Sequence, residues 1–396
     1  MAVVFGITLI LAGTVVAILF ARGYNFDISK KELSSTGILV ATSDPDGAGV
    51  NIVETRHALS VRSATNSTLN LAPGTYKVKI QKDGFTPWEK SVEIKKEEVF
   101  KTNVFLFPAL SDLRPLTFTG AKNPIISTDN TKIVYGVASA SSQLSLNQNG
   151  IWIIDMGRVF VSSPIFSAAD FRQIYRNPAA AGTLSLSDTK FTWSPDNKQI
   201  LAGNYLLDAD RLDDTPTFIA SPGGIIAEWK ILLDARKTAQ NSKLPVNIKQ
   251  ILASNSGELF FSPDETKVLY TATASATLPI AITNDLPGKN PTPENRKLST
   301  GNTYVYDLKE DKNYEIVNCK LLIVNCKWFP SSRHLISTAD NQISIMEFDG
   351  TNKAVVFNGA FKKDAVFAWP NWSKLVILTT LGSTTGMENL YTVNFR

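Results

Sequence analysis

The chain has 396 residues, 43% of them hydrophobic and 19% charged, with 40 Lys and Arg against 36 Asp and Glu for a formal net charge of +4. That length allows two or more domains with sizeable cores, and so small a charge, with no block of Lys or Arg, excludes an electrostatic grip on nucleic acid. Two His and two Cys exclude a histidine-rich metal centre and a scaffold built on disulfides.

Residues 2–21, AVVFGITLILAGTVVAILFA, carry no charge. Twenty helical residues span about 30 Å, the thickness of a bilayer core, and this run is apolar on every face. It lacks the basic start and the cleavage site of a signal peptide, and no Cys follows it for lipid attachment. An uncleaved transmembrane anchor is expected over 1–21, with the membrane a partner through 2–21. Arg22, Lys30 and Lys31 follow the run while only Met1 precedes it, which by positive-inside counting puts the bulk in the cytoplasm. Against that, so bare a start suggests basic residues missing upstream, and the β-rich modules downstream are typical of envelope proteins. The expectation is a single-pass protein of the cell membrane with its bulk outside the cytoplasm.

Residues 22–36 are polar and read as a juxtamembrane spacer. Beyond them the period changes: Tyr76, Val78 and Ile80 alternate with Lys77, Lys79 and Gln81, the pattern of a half-buried strand. Segments 49–54, 88–94 and 103–107 are similarly β-rich, and Asp46-Gly47, Pro73-Gly74 and Asp83-Gly84 supply turns. Four to six short strands over 37–108 make a small β-sandwich. Pro45-Asp46-Gly47-Ala48 resembles the Pro-Glu-Gly-Ala element of the PEGA domain, and LAPGTYKVKIQKDGF at 71–85 resembles that family's strand pair. Segment 56–68 departs from it by lacking a short Gly-Thr-Pro turn. The motif residues Pro45, Asp46, Gly47, Ala48, Pro73, Gly74 and Tyr76 read as structural.

The remainder repeats. WSPDNKQ at 193–199 and FSPDETK at 261–267 start 68 residues apart. Aligned on Pro195 and Pro263, three looser copies lie at 128–136, 330–338 and 370–378, each with an apolar residue (Ile133, Leu335, Leu375) where the first two have Ile200 and Val268. Pro fixes φ for a turn, and Asp bonds its own backbone two residues on. Strand, turn, strand, loop and strand repeated five times reads as propeller blades. The elements Trp193-Ser194-Pro195-Asp196 and Phe261-Ser262-Pro263-Asp264 resemble the TolB-like (WD40-like) propeller repeat, with Asn197 and Glu265 in place of its Gly. The resemblance implies a β-propeller of five to seven blades over 109–396, with segment 114–120 available as a closing outer strand. Two insertions interrupt it: a helical one at 225–252, with Ile225, Trp229, Leu232 and Leu233 at helical spacing, and a Pro- and Asn-rich loop at 278–300. The fold class expected is all-β: a transmembrane helix, a PEGA-like sandwich and a propeller.

Chemistry is sparsely signalled. No Gly-x-Ser-x-Gly elbow occurs, and His57 and His334 fall in different domains, so no catalytic residue, cofactor or firm metal site is expected. Asp208, Asp210, Asp213 and Asp214 are weak calcium candidates, since the sixth-position Gly and terminal Glu of an EF-hand loop are absent; a solvated turn is the better reading. Cys319 and Cys326 either pair across neighbouring strands or stay as two buried thiols. The expected function is non-catalytic binding by the propeller of an envelope protein or cell-wall polymer. The alternatives are a glycosidase-like envelope hydrolase with carboxylates at the central mouth, or a structural cell-surface spacer.

Overall fold

The computed structural model of the protein describes residues 2–21, 24–27, 32–54, 60–138, 149–157, 170–176, 185–213, 215–283, 286–317, 319, 326–382 and 386–395. Two compact units emerge. One comprises Met1–Ala109, Ile280–Asn295 and Glu310–Lys312, the other Leu110–Pro279, Arg296–Lys309 and Asn313–Arg396.

The first unit opens with helix α1, Ala2–Ala21. Phe5, Leu9, Ile10 and Leu11 stand exposed on it. Among the described residues no helix is long and apolar enough to cross a membrane, so the expected transmembrane helix finds no support there. The stretch expected as a spacer holds an antiparallel hairpin, Tyr24–Asp27 with Glu32–Ser35.

Next comes the sandwich. A four-stranded sheet runs in the order Ser60–Ala64, Gly49–Glu54, Gly74–Gln81, Trp88–Ile94, opposite a three-stranded sheet of Val99–Lys101, Gly37–Ala41 and Ser67–Leu71. The period-2 pattern dictates the packing: Tyr76, Val78 and Ile80 are buried with Val50, Ile52, Val92 and Leu39 in one core, while Lys77 faces solvent and pairs with Glu89 at 2.7 Å. Each fully buried aliphatic here contributes about 1.5–3 kcal/mol.

The second unit holds five four-stranded antiparallel sheets among the described residues. The first blade is Lys122–Ile126, Lys132–Val137, Gly150–Asp155 and Asp170–Arg176; the second is Phe191–Trp193, Gln199–Ala202, Tyr205–Asp208 and Thr217–Phe218. The third is Phe260–Phe261, Lys267–Thr271, Thr303–Asp307 and Lys312–Glu315, and the fourth Cys326–Trp328, His334–Ala339, Gln342–Glu347 and Ala354–Asn358. In the fifth, Val366–Ala368, Lys374–Thr379 and Asn389–Asn394 are completed by Asp112–Pro115 from the start of the unit. That strand closes the ring and overlaps the expected closing segment at Arg114 and Pro115.

Neighbouring first strands hold one another. Trp193 Nε1 donates to the Ile125 carbonyl at 3.2 Å and Trp328 Nε1 to the Phe260 carbonyl at 2.7 Å, while Lys327 Nζ donates to the Val366 carbonyl. One apolar cluster joins the fifth blade to the first through Trp369, Leu378, Ile133 and Tyr135, and another joins the first to the second. Between the second and third blades stand helices α2 (Pro222–Asn241) and α3 (Val246–Asn255). Pro222 opens α2 where a missing N–H is harmless, and Trp229, Ile248 and Leu252 bury its inner side and that of α3. Arg236 Nη2 donates to the Pro195 carbonyl of the second blade at 3.2 Å, and Gln240 Nε2 to Glu265 Oε1 of the third at 2.9 Å. The helical pair thus occupies a sector of the ring. The long loop of the third blade starts as a short ladder, Ala276–Thr277 with Lys297–Leu298, and its residues Ile280–Asn295 fall in the first unit.

Candidate functional site

The repeated turn has one geometry in all five blades. The backbone N–H of Asn130, Asn197, Glu265, Ser332 or Trp372 donates to the carbonyl three residues back at 2.8–3.1 Å, and those five residues share a left-handed φ of 56–66°. Ser127, Ser194 and Ser262 donate Oγ–H to Asp129, Asp196 and Asp264 Oδ1 at 2.5, 2.6 and 2.7 Å. The same Oδ1 atoms accept the N–H of Thr131, Lys198 and Thr266 at 3.1 Å. Burial tends to raise the carboxyls of Asp129 and Asp264, but these hydrogen bonds outweigh it and hold both below the ordinary carboxylate value; Ser194 chiefly does so for Asp196. The stability they add is present above the unfolded value of about 3.9 and lost as pH falls through the lowered ones.

The residue replacing Gly in the turn uses its side chain on the preceding sector. Asn197 Oδ1 accepts Thr128 Oγ1–H at 2.8 Å, Ser332 Oγ accepts the Asp264 N–H at 3.0 Å, and Glu265 reaches α2 through Gln240 and Lys243. Trp372 is 40% exposed and held at φ 66°. A left-handed conformation costs a residue with a Cβ about 1–2 kcal/mol, so Trp372→Asn is expected to raise stability by about 0.5–1 kcal/mol in a thermal melt.

Other predicted residues are similarly absorbed. The Asp44–Pro45 bond is cis, Gly47 has φ 73°, and Asp46 Oδ1 accepts from Asn66 Nδ2 at 2.9 Å. Buried Ala48 donates its N–H to Thr65 Oγ1 at 3.0 Å, and Tyr76 Oη donates to the Ala72 carbonyl at 2.8 Å. In the acidic cluster, Asp208 pairs with Arg211 at 3.2 Å and Asp210 with Lys132 at 3.2 Å and Arg172 at 3.4 Å. Asp213 Oδ1 caps the Thr215 N–H at 3.2 Å, and Asp214 lies outside the described residues. Asp208 and Asp210 are thus paired with cations and Asp213 with a backbone N–H, and among the described residues no group of three or more His, Cys, Asp and Glu is placed to hold a metal ion. His334 is buried, its Nδ1 2.9 Å from Ser331 Oγ and its ring edge-on to Phe329; His57 lies outside the described residues.

Cys319 and Cys326 are joined as a disulfide, Cα atoms 5.6 Å apart, inside an apolar cluster with Leu269, Val305, Tyr314 and Leu335 that joins the third and fourth blades. A closed loop this short (sequence separation 7) restricts the unfolded chain by about 2.5 kcal/mol. Urea denaturation with and without reductant is expected to differ by about that amount.

One cleft of about 550 Å³ lies within the first unit. Ser91 and Glu93 of strand Trp88–Ile94, with Thr75 beside them, line one part; Gly288, Lys289, Asn290, Pro291 and Pro293 of the loop line another; Lys95, Glu98, Phe100 and Lys312 complete it. The loop is pinned by polar bonds. The N–H groups of Ala281 and Ile282 donate to Asp311 Oδ2 at 2.7 and 2.8 Å, that of Asn290 to Glu310 Oε2 at 2.9 Å, and Lys312 Nζ donates to the Asn290 carbonyl. Gly288 combines φ 68° with a close approach, since a Cβ there would lie 3.2 Å from the Val99 carbonyl. Hydroxyls, carboxylates and ammonium groups line this cleft, but no imidazole or thiol.

Comparison with known proteins identifies one part of the first unit. Residues 36–109 match the family described as the PEGA domain. They form a PEGA domain. Its strands provide the Ser91 side of the cleft, and the chain pairs this PEGA domain with a β-propeller. No curated protein matches the chain. Among solved structures it is similar to TolB from Acinetobacter baumannii, at 10% identity over 79% of this chain and 64% of that one, TM-score 0.17. A TolB candidate from Agrobacterium tumefaciens gives 12% identity over 89% and 99%, TM-score 0.20. A candidate carbohydrate-binding protein from Bacteroides uniformis gives 18% over 30% of this chain and 52% of that one, TM-score 0.14, so the chain spans about half its length. At such scores the propeller rests on its own five sheets. The cleft was not visible in the sequence: the PEGA motif marks turns, and only the Pro- and Asn-rich composition of 278–300 flagged the other wall.

Proposed function

We propose that the protein is an envelope-associated, non-catalytic binding module whose PEGA domain and propeller lie outside the cytoplasm and engage an envelope protein or cell-wall polymer. The observation that carries this reading is the Cys319–Cys326 disulfide buried in the cluster between two blades: structural disulfides form and persist in oxidising compartments and are rare in the cytosol. The N-terminal segment supplies the tether in this reading. Its residues 2–21 carry no charge, and the exposed Phe5, Leu9, Ile10 and Leu11 of α1 are matched by lipid better than by water.

Alkylation in cells tests this. Acid-quenched cells treated with a maleimide of high mass are expected to show no shift of the protein until reductant is added, and the protein is expected in the membrane fraction. Free thiols in the quenched sample would contradict the extracytoplasmic placement, and recovery in the soluble fraction would contradict the tether.

A further inference from the structure

The cleft follows an unpaired sheet edge. Among the described residues, strand Trp88–Ile94 is last in its four-stranded sheet and pairs on one side only, with Gly74–Gln81. Along a strand, successive side chains turn to opposite faces and successive backbone groups to opposite edges. The Thr65 N–H donates to the Ala48 carbonyl, so the odd-numbered residues of Gly49–Glu54 bond Gly74–Gln81, and the registers Gly49↔Gln81 and Tyr76↔Val92 then turn the backbone groups of Val92 and Ile94 into the ladder with Gly74–Gln81. The N–H and C=O groups of the exposed Ser91 and Glu93 therefore point to the open edge, and among the described residues no backbone bond from another segment reaches them. Both residues line the cleft, facing the pinned loop.

We propose that an extended polypeptide segment enters this cleft and adds to the edge as a fifth strand, pairing with Ser91 and Glu93. The proposal rests on the reading that the protein is a binding module and names the class of partner. Backbone donors and acceptors repeating along an edge match another backbone, at about 3.3 Å per residue, and no sugar ring or lipid reproduces that spacing. Strand addition draws affinity from main-chain bonds and specificity from contacts to alternate side chains; here Phe100 offers an apolar contact, with Glu98 and Lys289 charged ones. The volume of about 550 Å³ holds a short segment. The pinned loop and the charge of Glu93 keep so exposed an edge from pairing indiscriminately.

The test uses the purified full chain and a displayed library of random octapeptides. Enriched peptides are expected to bind the protein, to lose at least tenfold in affinity when alternate backbone nitrogens are methylated, and to slow amide exchange at Ser91 and Glu93. Ser91→Pro removes only an outward N–H on an edge strand, where Pro is tolerated, and is expected to weaken the same peptides at least tenfold with an unchanged melting temperature. No enrichment over a control protein overturns the proposal. So does binding that is indifferent to methylation, or that leaves exchange at Ser91 and Glu93 unchanged. Failure here with a disulfide-bonded, membrane-recovered protein would sink the peptide site and leave the envelope reading standing.

Discussion

Replacing Trp193 by Ala is expected to lower the stability of the propeller by about 3–5 kcal/mol, the largest loss of any single substitution considered. Trp193 ends the first strand of the second blade, is 4% exposed, and packs with Phe191, Ile200, Val134 and Ile153 in the cluster between two blades. Truncation removes that packing and leaves a cavity that rigid sheets on both sides cannot fill. It also deprives the Ile125 carbonyl of its donor at 3.2 Å, worth about 1 kcal/mol on its own. Trp193→Phe separates the two contributions: it keeps most of the apolar contact, loses the hydrogen bond, and is expected to cost about 1–2 kcal/mol. Urea denaturation of the two variants checks both numbers. A loss below 1 kcal/mol for Trp193→Ala would mean that this Trp is not a strut between blades.

Lys327→Met is expected to stabilise the protein at neutral pH by about 1–2 kcal/mol. Burial drives the Lys327 amine down to about 8, with Asp364 opposing only in part. The residue keeps some surface, but its ammonium end is enclosed, donating to the Val366 carbonyl and lying 5.6 Å from the centre of the Phe367 ring. Below pH 8 the folded and unfolded chains both hold the proton, so this group gives stability no pH dependence there, and the charge stays buried at a cost. Between about pH 8 and the unfolded value near 10.4 the unfolded chain holds more protons, so stability rises with pH, by up to about 3 kcal/mol. The Met variant lacks this rise, so its advantage should shrink from pH 7 to pH 9.5 in urea titrations. The estimate for Met is smaller than the full rise because it forfeits the bond to Val366 and the contact with Phe367. Parallel pH curves for the two proteins would contradict the assignment.

The turns were legible in the sequence because their demands are local. A Ser that caps a backbone N–H, an Asp that accepts from Ser and from the backbone, and a Pro that sets φ must sit at fixed offsets. Two of the looser copies, at 330–338 and 370–378, keep the backbone bond while lacking that Ser and Asp. Phe329 and Trp369 stand in the Ser position and still close the turn through Ser332 and Trp372 at 3.1 and 2.9 Å. The left-handed position could not be read, since Asn130, Asn197, Glu265, Ser332 and Trp372 occupy it without one Gly; contacts to the neighbouring sector, invisible in the chain, are what Asn197, Glu265 and Ser332 gain there. The hairpin at Tyr24–Asp27 and Glu32–Ser35 escaped notice because Tyr24 and Phe26 alternate with polar residues over only four positions and Leu33 is the one apolar residue of the partner strand. The cleft escaped for a different reason. Its two walls, near Ser91 and Asn290, are some 200 residues apart in the chain, and neither carries a motif.

Protease accessibility on intact cells tests the placement of these domains most directly. With the outer barrier permeabilised and the cytoplasmic membrane intact, the account predicts that added protease removes the propeller and the PEGA domain while a cytoplasmic marker survives. Protection of both domains until the membrane is broken would put them in the cytoplasm, in line with the Arg22, Lys30 and Lys31 that follow the apolar run, and would contradict the account.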